Sequence, residues 1–243
     1  MGITGTEVSK DAAAMILTDD NFATIVKAIT NGRNVYTNIK NAIKFLLSGN
    51  TSGILAVLYT SIMALPMPFA PVHLLFINLV TDSLPAIAIG MESARDDLLN
   101  QKPRDPKASI LSRDFLLRIL VEGSIIGVFT MVAYYAGLAI TPAHASTMAF
   151  ATLCLARLFH GFNCRGKKSI IRLGFFTNTY SVGAFALGFL FLNAVLFIPG
   201  IKDLFMIAPL TMNQVWTIYG LAFMPTLIIQ VYKFIRESFI KVG

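Results

Sequence analysis

Asn78-Leu79-Val80-Thr81-Asp82-Ser83-Leu84-Pro85 decides the fold class, because it sets a carboxylate in the middle of an apolar run, Val72 to Met91, that is long enough to cross a bilayer. An acid buried at that depth is costly and by default marks the path of an ion or substrate. At helical spacing Asn78, Thr81 and Asp82 are i, i+3 and i+4, which places an amide oxygen, a hydroxyl and a carboxylate on one face within a turn. Pro85 has no N–H, and its ring collides with the carbonyl four residues back, so the Thr81 C=O is expected to be freed toward a ligand. A kinked span with hard oxygen donors predicts a cation site inside the membrane. The competing expectation is an acid that merely bonds a neighbouring helix.

Composition carries the membrane reading to the whole chain. Of 243 residues, 55% are apolar and only 14% charged, which suits a multi-span membrane protein and not an ordinary soluble domain of that size. The formal charge of +7 lies in basic clusters between apolar runs. There it meets lipid headgroups and sets orientation, so the bilayer is the expected partner and nucleic acid is not. Cys154 and Cys164 make no C-x-x-C motif, and both are expected reduced. Residues 1–30 contain no basic stretch followed by an apolar one, so no cleavable signal is expected there.

Six spans follow from the hydropathy pattern, at about 42–65, 72–91, 115–138, 145–163, 179–198 and 215–232. Residues 1–33 are the soluble piece. Ala14 to Leu17 reads as a strand, and Thr18-Asp19-Asp20-Asn21 as the cap of a helical stalk that runs into the first span. So short a piece cannot close a core, and it is expected to be the edge of a larger domain. In the first span Asn50 interrupts the apolar run, and the short linker Pro66 to Pro71 forces the second span antiparallel to the first, bringing Asn50 toward Asp82. Arg118 and Glu122, i and i+4, are expected to form a solvated pair near one end of the third span. The loop 92–114 carries Arg95, Lys102, Arg104, Lys107 and Arg113 with Pro103 and Pro106, and the loop 164–178 is also basic. Lys202 is the one basic residue in an outside loop. The positive-inside rule then puts both termini in the cytoplasm.

These residues carry a resemblance. Met1 to Lys10 and Met15 to Phe22 resemble the end of the phosphorylation domain of P-type cation-transporting ATPases of the calcium-pump subclass, Gly32 to Lys44 resembles the stalk of the fifth transmembrane helix, and Phe76 to Ala86 resembles the sixth helix. The resemblance covers the whole chain. It implies an all-α membrane protein of six transmembrane helices, five to ten of the pump (residues 34–243), with residues 1–33 a short remnant of the α/β phosphorylation domain. It also implies that Asn78 and Asp82 ligate Ca²⁺, that Thr81 and Asn50 contribute, and that the 92–114 loop touches the phosphorylation domain. The implied location is a bacterial plasma membrane.

Two departures from the two-ion animal pumps bear on stoichiometry. Gly53 stands where those pumps carry a glutamate in the fifth helix, and Arg157 where they carry one in the eighth, a pattern similar to bacterial calcium pumps that have lost one site. Arg157 is then expected to act as a fixed internal cation near Asp82; the competing expectation is that it snorkels to the cytoplasmic edge. The chain has no Asp-Lys-Thr-Gly motif, no nucleotide-binding domain and no Walker A motif, so ATP and Mg²⁺ would act only through domains of a longer parent pump, of which this chain is expected to be a fragment or truncated product. A second function class stays open, a stand-alone accessory subunit or passive cation pathway. Ca²⁺ and Mn²⁺ both accept the donor set.

Overall fold

The computed structural model describes residues 1–94 and 109–240, and within them every regular element is helical. After a short α1 (Glu7–Asp11) comes α2 (Ala23–Ile62), a single 40-residue helix. At 1.5 Å per residue it is about 60 Å long, twice a hydrocarbon core, so stalk and first span are one rod. Its start is tied as the sequence suggests: Asn21 Oδ1 accepts from the Ala23 N–H, and the Asp19 carboxylate accepts from the Asn21 N–H and the Thr24 hydroxyl. Ala14 to Leu17 is not a strand. A strand needs a neighbouring ladder, and the backbone bonds that meet this segment, from the N–H groups of Gly2 at 2.6 Å and Asp20 at 3.4 Å, both end on the one Leu17 carbonyl.

The second span is built in three parts. α3 (Pro71–Phe76) leads into a π-helical segment (Ile77–Asp82), which passes into α4 (Ser83–Gly90). The wide turns sit immediately before Pro85, where a regular helix would collide with the proline ring. The remaining long helices are α5 (Arg113–Leu138), α6 (Pro142–Cys164), α8 (Thr179–Phe197) and α10 (Met212–Ile240), with two single turns, α7 (Ile170–Leu173) and α9 (Ile201–Leu204), between them. Pro225 lies inside α10 without ending it.

Among the described residues, five helices are long and apolar enough to cross a membrane: α2, the α3–α4 unit, α5, α8 and α10. α6 is the inner member of the same bundle, with 18 of its 23 residues buried against α5, α10, α8 and α2. Protein on all sides lets it carry Thr147, Thr152, Arg157, His160 and Asn163 without presenting them to lipid. The main core joins Phe150, Leu153, Leu155 and Tyr134 to residues of the surrounding helices. α2 and α5 cross closely at Gly123, where an added Cβ would come within 2.6 Å of the Ser48 carbonyl oxygen, so small residues set that crossing. The basic loop with Arg95, Lys102, Pro103, Arg104, Pro106 and Lys107 lies outside the described residues.

Candidate cation site

The π-helical segment aims Asp82 inward, and α6 meets it with Arg157. Arg157 is 2% exposed and Asp82 5%. Arg157 Nη2 donates to Asp82 Oδ2 at 2.8 Å and to Asn50 Oδ1 at 2.9 Å, and lies 2.7 Å from Asp82 Oδ1. Three helices thus converge on one guanidinium nitrogen. The snorkelling alternative does not hold, because the side chain stays buried in the bundle and ends on a carboxylate. Satisfaction is incomplete, however: Asp82 Oδ1 and Arg157 Nε have no hydrogen-bond partner. Both carboxylate oxygens lie against the same guanidinium nitrogen, and only Oδ2 meets it in hydrogen-bond geometry.

The other expected ligands are arranged differently. Asn78 is exposed while Thr81 and Asp82 are buried, so the three do not share one face. The segment is π-helical, with more residues per turn than the α-helix that the i, i+3, i+4 spacing presumes. The Thr81 hydroxyl donates to the Ile77 carbonyl at 2.9 Å, and the Ser83 hydroxyl caps the Asn78 carbonyl at 2.9 Å. Asn50 is exposed beside its bond to Arg157, and Gly53 leaves only Leu153 near the place of a side chain.

A second charged cluster, unforeseen in the sequence, closes the end of α4. Arg165 binds both Glu92 carboxylate oxygens, at 2.9 and 3.0 Å, and also donates to the carbonyls of Gly174 and Phe175 and to the Thr177 hydroxyl. Asn178 donates to Glu92 Oε2 and to the Ala88 carbonyl. From α2, Asn38 donates to the carbonyls of Gly90 and Glu92, and Asn34 to that of Glu92. Residues 73 and 86 positions from Glu92 build this knot, and no local spacing signals it.

A third network corrects the expected pairing of Glu122 with Arg118. Arg118 is exposed; Glu122 turns inward at the α2–α5 crossing and binds Lys44 at 2.8 Å. Its other oxygen lies 3.5 Å from His160 Nε2. The donor atoms of Glu122, His160 and Cys164 all fall within 4.8 Å of one another, yet the hydrogen bonds oppose a metal. The Ile170 N–H fixes Gln230 Oε1, so Gln230 Nε2 donates to Asn163 Oδ1 and Asn163 Nδ2 faces His160 Nδ1. The Ser48 hydroxyl donates to the Lys44 carbonyl and so accepts from His160 Nε2 at 2.9 Å. Neutral His160 therefore carries its proton on Nε2 and has no lone pair there for a metal.

The family described as "Cation transporting ATPase, C-terminus" matches residues 66–235. The chain belongs to that family. As a P-type cation-transporting ATPase region it is 40% identical over 94% of its length to the "Calcium-transporting ATPase" of Bacillus subtilis (strain 168). It is 39% identical over 98% to "Calcium-transporting ATPase 1" of Lactococcus lactis, and 36% identical over 91% to "Calcium-transporting ATPase type 2C member 2" of Homo sapiens. The matched parts are 26%, 27% and 24% of those proteins, so the chain spans about a quarter of the length of the curated relatives it matches. Together with the apolar helices, this makes it an integral, multi-pass membrane protein.

Proposed function

We propose that this chain is the transport region of an ATP-driven calcium efflux pump, with Asp82 as the principal cation ligand it supplies. The observation that carries the reading is the Asp82 carboxylate buried at the end of a π-helical segment, with Oδ2 hydrogen-bonded to Arg157 and Oδ1 in ion-pair contact at 2.7 Å but without a hydrogen-bond partner. Ca²⁺ takes about six to eight oxygens. Asp82, with Asn78, Thr81 and Asn50 nearby, offers part of that shell, and the rest would come from other parts of the pump or from water. Mn²⁺ suits the same donors.

Arg157 holds a permanent positive charge against Asp82, and Gly53 contributes no acid, so the site has the charge for one Ca²⁺ per cycle. Residues 1–33, which contribute only Leu17 to the buried set, fit the edge of the phosphorylation domain. ATP and Mg²⁺ would be handled by that domain and its neighbours. The basic loops support an orientation with both termini in the cytoplasm, in a bacterial plasma membrane.

The test uses the full-length pump. Asp82→Asn should abolish calcium-dependent phosphorylation while leaving membrane insertion intact, and equilibrium binding to the unmutated pump should give one Ca²⁺ per phosphorylatable site. Unchanged calcium affinity in the mutant would overturn the ligand assignment; two ions per site would overturn the stoichiometry.

A further inference from the structure

α2 contains three glycines, and they are not equivalent. A Cβ added at Gly32 would meet nothing within 4 Å, and one at Gly53 would touch only Leu153 Cδ2 at 3.9 Å. At Gly49 it would lie 2.5 Å from Arg157 Nε, 2.6 Å from Nη2 and 2.7 Å from Cζ. Those are heavy-atom overlaps, and the guanidinium occupies the space that every other residue type would fill. Gly49 is buried, and its neighbours are both engaged with α6: Ser48 bonds His160, and Asn50 Oδ1 accepts from Arg157 Nη2. Glycine is ordinarily disfavoured in a helix interior relative to alanine. Its presence at this turn matches the shape of the charged group lying against it.

We infer that Gly49 is a specificity-determining residue: its missing side chain is the slot that admits the Arg157 guanidinium beside Asp82, so that the chain's own cation, and not a second transported ion, fills that place. The inference rests on the proposed role of Asp82. Gly49 acts through Arg157 and is a positioning residue, touching no transported ion itself. A methyl group at 49 forces the flexible arginine to move, because the opposing side of the overlap is helix backbone.

The experiment is a double-mutant cycle in the full-length pump, comparing the unmutated protein, Gly49→Ala, Arg157→Ala and the double variant. Two readouts are taken: the calcium concentration that half-saturates phosphorylation, and the midpoint of thermal unfolding in detergent. Gly49→Ala should shift half-saturation in the same direction as Arg157→Ala, by roughly 3- to 100-fold, the span of coupling between touching residues. Added to Arg157→Ala it should change nothing further, and its lowering of the unfolding midpoint should also vanish in that background. A Gly49→Ala effect that persists in full without Arg157, or no effect at all, overturns the inference, and so does a variant that fails to fold in both backgrounds. Failure of the Asp82 reading looks different: Asp82→Asn would leave calcium affinity unchanged while the thermal coupling of Gly49 to Arg157 remained.

Discussion

Among the described residues two arginine–carboxylate pairs are buried, and they are finished to different degrees. At the end of α4, Arg165 grips both oxygens of Glu92 and spends its other donors on two carbonyls and a hydroxyl, while Asn178 takes a second bond to the same carboxylate. At the π-helical segment, Arg157 reaches Asp82 and Asn50 through Nη2 but leaves its Nε and one carboxylate oxygen unbonded. A saturated buried network rigidifies, whereas one with open donors and acceptors keeps capacity for another group. The difference separates a saturated fastening from the cluster proposed to bind a cation, at the two ends of α4.

That contrast is broken most directly by removing each arginine in turn. Arg165→Ala should lower unfolding stability by about 3–5 kcal/mol, because it removes the bidentate partner of the buried Glu92 carboxylate together with the bonds to two carbonyls and a hydroxyl. Arg157→Ala should cost less, about 1–3 kcal/mol, since its site is already partly unsatisfied and the exposed Asn50 lies beside it. Chemical or thermal unfolding of the two variants in the same detergent checks the order. An Arg157→Ala cost equal to or above that of Arg165→Ala would erase the distinction.

The outcome bears on what the sequence could and could not reveal. The membrane class, the long apolar helices and the approach of Asn50 to Asp82 were legible, because apolar run length, an acid at mid-span and a short inter-span linker are local signals, whereas the nearness of Arg157 to Asp82 was implied by the resemblance alone. The exposure of Asn78 beside the buried Thr81 and Asp82 was not legible, since the one-turn spacing rule presumes a regular α-helix and Ile77–Asp82 is π-helical instead. Glu92 and Arg165 read as ordinary loop charges, and Glu122 as the partner of its nearest basic neighbour on the same helix. In each case the true partner comes from another helix, brought in by packing that no residue spacing encodes.

Asn38 sharpens the comparison from the stalk side. Its amide donates to the carbonyls of Gly90 at 3.1 Å and Glu92 at 2.7 Å, tying α2 to the end of the helix whose start carries Asp82. Asn38→Ala should cost about 1–2 kcal/mol in the same unfolding measurement, the usual price of leaving buried acceptors without donors. Asn38→Asp should be at least as costly, because it replaces the donor with an acceptor facing two carbonyl oxygens. A neutral result for both would show that Glu92 is held without Asn38, by Arg165, Asn178 and Asn34.

The smallest effect concerns a carboxylate outside the membrane, which serves as the exposed limit of the same comparison. Asp20 accepts from the Thr4 hydroxyl at 2.6 Å, the Thr4 N–H at 2.7 Å and the Ile3 N–H at 3.1 Å, closing residues 3–20 into a loop ahead of α2. The Thr4 hydroxyl bond and then the backbone N–H bonds favour the ionised form, bringing the Asp20 pKa from 3.8 to about 2. A depressed carboxyl pKa contributes stability that is complete above 3.8 and disappears as pH falls through about 2. Because the group faces water, the energy involved is small, and the loop rather than the bundle should respond. Carbon-13 titration of the Asp20 carboxyl in the full chain should give a midpoint near 2, with the Ile3 and Thr4 amide signals moving over the same range. A midpoint at 3.8 would mean that the loop is open in solution, and that the partners which hold Arg165 and Arg157 in place depend on burial that Asp20 lacks.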